Sequence, residues 1–143
     1  MPADLLRIAD AVVAAINAAG LGLPAPAERL YLPQFELPEV QTLRVVVVPR
    51  EAESKLAARN RRSRTCRVDV GVLKKFQKGD AAELDPLVEL VDRIAALFDG
   101  KRLAEEPETI CTVAKSEPVY SPEHLETLRQ FTSVLALTFR EVG

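Results

Sequence analysis

The chain has 143 residues, 48% of them apolar and 28% charged, with a formal net charge of −2. That balance excludes a disordered or fibrous chain, and no apolar run reaches the roughly 18 residues a membrane-spanning helix needs. The length suits a single domain over 1–143, with one core.

Residues 3–19 place Leu5, Ile8, Ala9, Val12, Val13 and Ile16 at helical spacing, and Gly20 is a stop. Asp4 and Asp10 interrupt any leader-like stripe and no basic lead-in precedes them, so a signal peptide is not expected. A turn-rich connection follows, with too few glycines, wrongly placed, for a dinucleotide loop. Leu30 to Phe35 reads as a short edge strand broken by Pro33. Thr42 to Val48 is a β-branched run that reads as a central strand. Thr65 to Leu73 alternates: Cys66, Val68, Val70 and Val72 face one way, Arg67 and Asp69 the other.

These two strands are expected to pair, with residues 49–64 between them as a long, polar, mobile basic loop. Asp85-Pro86 reads as the start of a second helix that buries Leu87, Leu90, Val91, Ile94, Leu97 and Phe98 and stops at Gly100. A strand over Thr109 to Glu117, a short helix from Ser121 to about Leu128 and a final strand from Phe131 to Arg140 complete the chain. Strands that follow one another directly favour antiparallel pairing. The expected fold is therefore α+β, a mainly antiparallel β-sheet with two main helices packed on one face.

Charge is distributed unevenly. Between Arg50 and Lys78 ten Lys/Arg face three Asp/Glu, a net +7, which leaves −9 for the rest of the chain. Such polarity suits head-to-tail association or the steering of a charged partner. The candidate interaction residues are Arg50, Lys55, Arg59, Arg61, Arg62 and Arg64 in the loop, with Arg67 and Asp69 on the outward strand face. Arginine pairs with carboxylates in a two-pronged fork, which suits a neighbouring protein surface. Phosphates are the alternative target, in a sequence-nonspecific double-stranded DNA-binding module. Stacking partners for exposed bases are scarce, with no Trp and only Phe76 nearby.

Catalytic machinery is not evident. His124 is the single histidine, so neither Ser/His nor Cys/His chemistry is well supplied. Cys66 and Cys111 lack metal-ligand spacing and read as reduced, buried thiols. Asp85, Glu89 and Asp92 form one solvated helix face, and Glu105, Glu106 and Glu108 an exposed loop cluster. Asp99-Gly100-Lys101 imitates a nuclease element but falls on a helix-ending turn. No catalytic residue, metal site or cofactor is assigned.

The stretches "ADAVVAAINAA", "LPQFELPEVQTLRVVVVP", "DVGVLKKF", "ELDPLVELVDRIAALFDGKRL" and "EPVYSPEHLETLRQFTSVLALTFR" together resemble the tail terminator and head–tail joining (neck) proteins of tailed phages and prophages. The likeness is one of pattern and element order over nearly the whole chain. It implies a non-enzymatic α+β protein that forms a ring, usually a hexamer, at the head-proximal end of the tail tube. Implied partners are copies of itself, the tail tube protein, the head completion or connector protein, and the genomic DNA that passes through the lumen. Implied locations are the virion neck and, before assembly, the host bacterial cytoplasm. In this group the long loop between the paired strands orders on assembly, and residues 49–64 match that position.

Overall fold

A computed structural model describes residues 4–31, 42–58, 61–104, 106–116, 119–127 and 129–141. The elements run α1 (Asp4–Ala18), β1 (Glu28–Arg29), β2 (Arg44–Ala58), β3 (Arg61–Lys75), α2 (Ala81–Phe98), β4 (Thr109–Ser116), α3 (Pro122–Thr127) and β5 (Gln130–Glu141). The strands form one sheet in the order β1-β2-β3-β5-β4. All neighbours are antiparallel except the two-residue β1, which runs parallel to β2. This is the expected α+β architecture. No helix among the described residues is long and apolar enough to cross a membrane.

Alternation in the strands decides where the core sits. Val45 and Val47 of β2, Cys66, Val68, Val70 and Val72 of β3, and Leu135, Leu137 and Phe139 of β5 are buried on one face. Helix α1 covers that face over β2 and β3, and α2 covers it over β5 and β4. Ile8, Val12 and Ile16 come from α1, and Leu87, Leu90, Val91, Ile94 and Phe98 from α2, each set on the period of 3.6 that aims one stripe at the sheet. The opposite face holds a smaller apolar patch in which Val46 and Leu73 pack with Leu30. Asn17 pins the chain after α1 through two bonds to Ala27: its Oδ1 accepts the Ala27 N–H at 2.8 Å and its Nδ2 donates to the Ala27 carbonyl at 3.2 Å.

Three element boundaries differ from expectation. The first edge strand is Glu28–Arg29 rather than a strand from Leu30, and residues 32–41 lie outside the described part of the chain. Helix α2 starts one turn earlier than Asp85, and Pro86 lies inside it. The cause is Asp80, whose Oδ1 accepts the Glu83 N–H at 3.0 Å and so caps the upstream turn. The third and largest difference is that residues 49–58 and 61–64 are not a loop. They are strand, and the connection between β2 and β3 is only residues 59–60.

Glu83 also folds back onto the turn before α2, where its carboxylate accepts the N–H groups of Gln77 (3.0 Å), Lys78 (2.9 Å) and Gly79 (2.8 Å). Gly79 sits at φ 72°, a backbone conformation suited to glycine. The bonds from Gln77 and then Gly79 hold the Glu83 carboxyl below its ordinary pKa. A depressed folded-state pKa means that this stabilisation is present above the unfolded carboxylate value of about 4.3 and is lost as pH falls through the folded value. Glu83→Gln should therefore lower the melting temperature at pH 7, and the gap from the parent should narrow as pH falls below about 4. A gap unchanged between pH 7 and pH 3 in thermal denaturation would contradict this role.

Candidate functional site: a charged two-stranded arm

The basic segment folds as the far half of a long hairpin. Strands β2 and β3 pair from Arg44↔Leu73 to Ala58↔Arg61, whereas β5 accompanies β3 only as far as Thr65↔Arg140. Beyond Glu53 and Thr65 the sheet is thus reduced to two strands, which project roughly 15 Å at the usual rise per residue. All of residues 50–56 are exposed. A register shift between Pro49 and Glu51 leaves Arg50 as an extra residue on β2 at the root of this arm.

The register assigns the faces. Ala52, Ser54 and Leu56 stand opposite Cys66, Arg64 and Arg62, on the side of the sheet that carries the helices. Glu51, Glu53 and Lys55 stand opposite Arg67, Thr65 and Ser63, on the outer side. Leu56 is 71% exposed, a large apolar side chain held out near the arm's end.

Carboxylates of the same chain meet most of the candidate cations. Asp69 is only 4% exposed although it lies on the outer face. Its two oxygens accept from Arg50 Nε at 2.8 Å and Arg67 Nε at 3.3 Å, which ties the bulge to β3. Lys55 Nζ lies 3.1 Å from Glu53. Arg64 reaches Asp4 at the start of α1, and Asp4 also holds Arg7. Asp69 is thus a buried anchor for two arginines rather than a contact group, while Arg67 keeps an exposed side chain. Arg61 and Arg62 occupy β3 positions opposite Ala58 and Leu56. Their side chains, and the whole of Arg59, lie outside the described residues.

At the foot of the arm two shallow cavities meet around Asp4, Arg64 and Cys66. One, of about 320 Å³, is walled by Leu5, Ala52 and Ser54. The other, of about 230 Å³, is lined by Arg7, Glu106, Glu108 and Glu141. Burial, then the Asp4 charge, pushes the Cys66 thiol up, and burial pushes Cys111 up to about 11. Both are free, buried thiols held in the protonated, unreactive form.

The remaining sequence candidates occupy separate places. Asp85, Glu89 and Asp92 are exposed along α2, and Asp99, Gly100 and Lys101 are exposed where it ends. Glu105 lies outside the described residues. Among the described residues no three His, Cys, Asp or Glu side chains are grouped to hold a metal ion. His124 ties α3 to β5, its Nδ1 2.8 Å from the Thr132 hydroxyl, which also accepts from Gln130 Nε2 at 2.9 Å.

No protein-family model and no curated protein matches this sequence. One solved structure, whose name carries no functional word, is similar at a TM-score of 0.57 and 19% identity, covering 100% of this chain and 97% of that one. At that identity the likeness shows the fold alone.

Proposed function

We propose that this chain is a structural assembly protein of the tail terminator or neck kind. It forms a ring, a hexamer in the simplest case, that closes the head-proximal end of a phage tail tube and receives the head connector. DNA passes through the lumen, and the protein resides in the virion after synthesis in the host bacterial cytoplasm. The observation that carries this function is the arm: β2 and β3 run on past the end of β5 as a two-stranded ribbon, Ser54 to Ala58 against Arg61 to Arg64, whose outer backbone edges pair with no described residue. A lone two-stranded ribbon is marginal in water, so it calls for a protein surface to lie on. The resemblance in element order and the opposed charge of arm and body support the same function.

DNA binding is the weaker alternative, because Arg50, Lys55, Arg64 and Arg67 already face carboxylates of their own chain. A phosphate grip would have to displace them. The test is negative-stain electron microscopy of the purified protein, alone and with tail tube protein, beside a gel-shift titration at two salt concentrations. Rings or capped tubes with weak or absent DNA shift are expected. Sequence-blind DNA binding that falls steeply with salt, with no assembly, would overturn the proposal.

A further inference from the structure

We propose that the arm tip of one copy docks into the turn that follows α1 of the next, with Leu56 seated among Ile16, Leu21, Leu23 and Pro26. This rests on the assembly function above and names its contact. The turn folds around a cavity of about 510 Å³ lined by those four residues together with Asn17, Gly20 and Gly22. Ile16 is buried at its base, and Leu21 and Leu23 are partly buried against the core. Asn17 ties the two ends of the turn together through its pair of bonds to Ala27, so the socket is preformed. A cavity of about 150 Å³ takes a benzene molecule. This one admits a leucine side chain with the strand end that carries it.

An arm does not reach the socket of its own chain. Helix α1 begins at the foot of the arm, where Asp4 meets Arg64. It ends where Asn17 holds Ala27, next to the Glu28↔Val46 pair. Ten residues of β2 separate Val46 from Leu56, roughly 30 Å at the usual rise per residue. A single exposed leucine is ordinary on a globular surface. Leu56, however, stands 71% exposed near the end of a ribbon that no described strand flanks. The described sheet and helices leave it bare, so its cover comes from another copy. Knob and socket at opposite ends of one molecule make a heterologous contact, in which each copy gives an arm and receives one. Such a contact closes into a ring when the rotation permits.

Charge favours the same seat. From Ser54 to Arg64 the chain carries Lys55, Arg59, Arg61, Arg62 and Arg64 and no carboxylate. From Ala11 to Ala27 it carries no charged residue, so the last turn of α1 has no basic side chain. That end of the helix holds about half a negative elementary charge and carbonyls without partners inside the helix. A cationic tip brings donors to those acceptors, and no cation of the socket repels it. Tip against tip would instead oppose like charges, which costs stability. On charge alone the rival seat is the exposed face of α2, with Asp85, Glu89 and Asp92. Leu56 decides against it, because an apolar side chain laid among those carboxylates would strip water from them.

The experiment mixes copies carrying Ser54→Cys, which leaves Leu56 in place, with copies carrying Pro26→Cys, under oxidised glutathione. Disulfides are read by non-reducing gel and peptide mass spectrometry, with thermal denaturation as a check on folding. Ser54 and Pro26 are exposed, whereas the native Cys66 and Cys111 are buried and stay out of the reaction. Copies carrying Ala96→Cys, on the exposed face of α2, report the rival seat. The 54–26 bond should form about tenfold or more faster than the 54–96 bond. Independently, Leu56→Asp should raise the concentration needed for assembly by about tenfold or more at an unchanged melting temperature. Equal rates, a faster 54–96 bond or a dominant 54–54 bond would overturn the docking, as would parent-like assembly of Leu56→Asp. Rings in micrographs without the 54–26 bond remove this contact and leave the assembly function standing. A 54–26 bond confined to two-copy species keeps the contact and removes the ring. A parent that stays monomeric at every concentration and beside tail tube protein removes both.

Discussion

Replacing Arg59, Arg61 and Arg62 together by glutamate should leave the monomer folded and abolish ring or tail association. Arg61 and Arg62 sit on the arm opposite Ala58 and Leu56, beyond the last residue of β3 that β5 supports. The core lies elsewhere, under residues 45–48 of β2 and 66–73 of β3. Surface changes away from buried contacts usually move stability by no more than about 0.5 kcal/mol, so the melting temperature should stay within about 2 °C of the parent. Association responds differently. Three reversals take the basic segment from +7 to +1, and each arginine that met a partner carboxylate now repels it. Like charges brought together across an interface cost several kcal/mol, enough to remove rings from micrographs at micromolar protein. Unchanged assembly would count decisively against the arm as the contact.

Phe98→Ala should have the opposite profile, a large loss of stability with the arm untouched. Phe98 closes α2 onto the sheet, is 2% exposed, and meets Phe139 of β5 edge to face with ring centroids 6.2 Å apart. Truncating a buried phenylalanine costs about 3–5 kcal/mol, since the transfer energy is lost and a cavity remains. For a chain of this size that corresponds to a melting temperature lower by roughly 10–20 °C. A shift below about 3 °C would mean that α2 is not held against β5 in this way.

The core was legible in the sequence because it is periodic. Val68, Val70 and Val72 alternate with polar positions, and Leu87, Leu90, Val91 and Ile94 repeat at helical spacing, so one buried face follows from each pattern. The arm was not legible for the same physical reason in reverse. Residues 50–56 are exposed, so no apolar alternation marks them as strand, and Ala, Glu, Ser and Lys have weak intrinsic preference for the pleat. Polarity there reads as loop, whereas continued hydrogen bonding to β3 makes it strand.

The helix start at Asp80 was missed because Asp85-Pro86 offers a stronger-looking local signal, while Asp80 and Glu83 act together as a cap with the glutamate three residues on. The candidate cations were identified, but their counterions were not. Asp4 lies 60 residues from Arg64 in the chain, a distance over which no sequence pattern operates. Asp69 was placed on the correct face, and its burial between two arginines comes from the bulge at Arg50.

What remains is whether the arm is where the protein grips its own kind. Amide hydrogen exchange, measured residue by residue on the dilute monomer and on the assembled particle, addresses that directly. Residues 51–56 and 62–64 should exchange rapidly in the monomer and gain strong protection in the particle, with Val68 and Val70 slow in both. Assembled particles whose arm amides exchange as fast as in the monomer would contradict it.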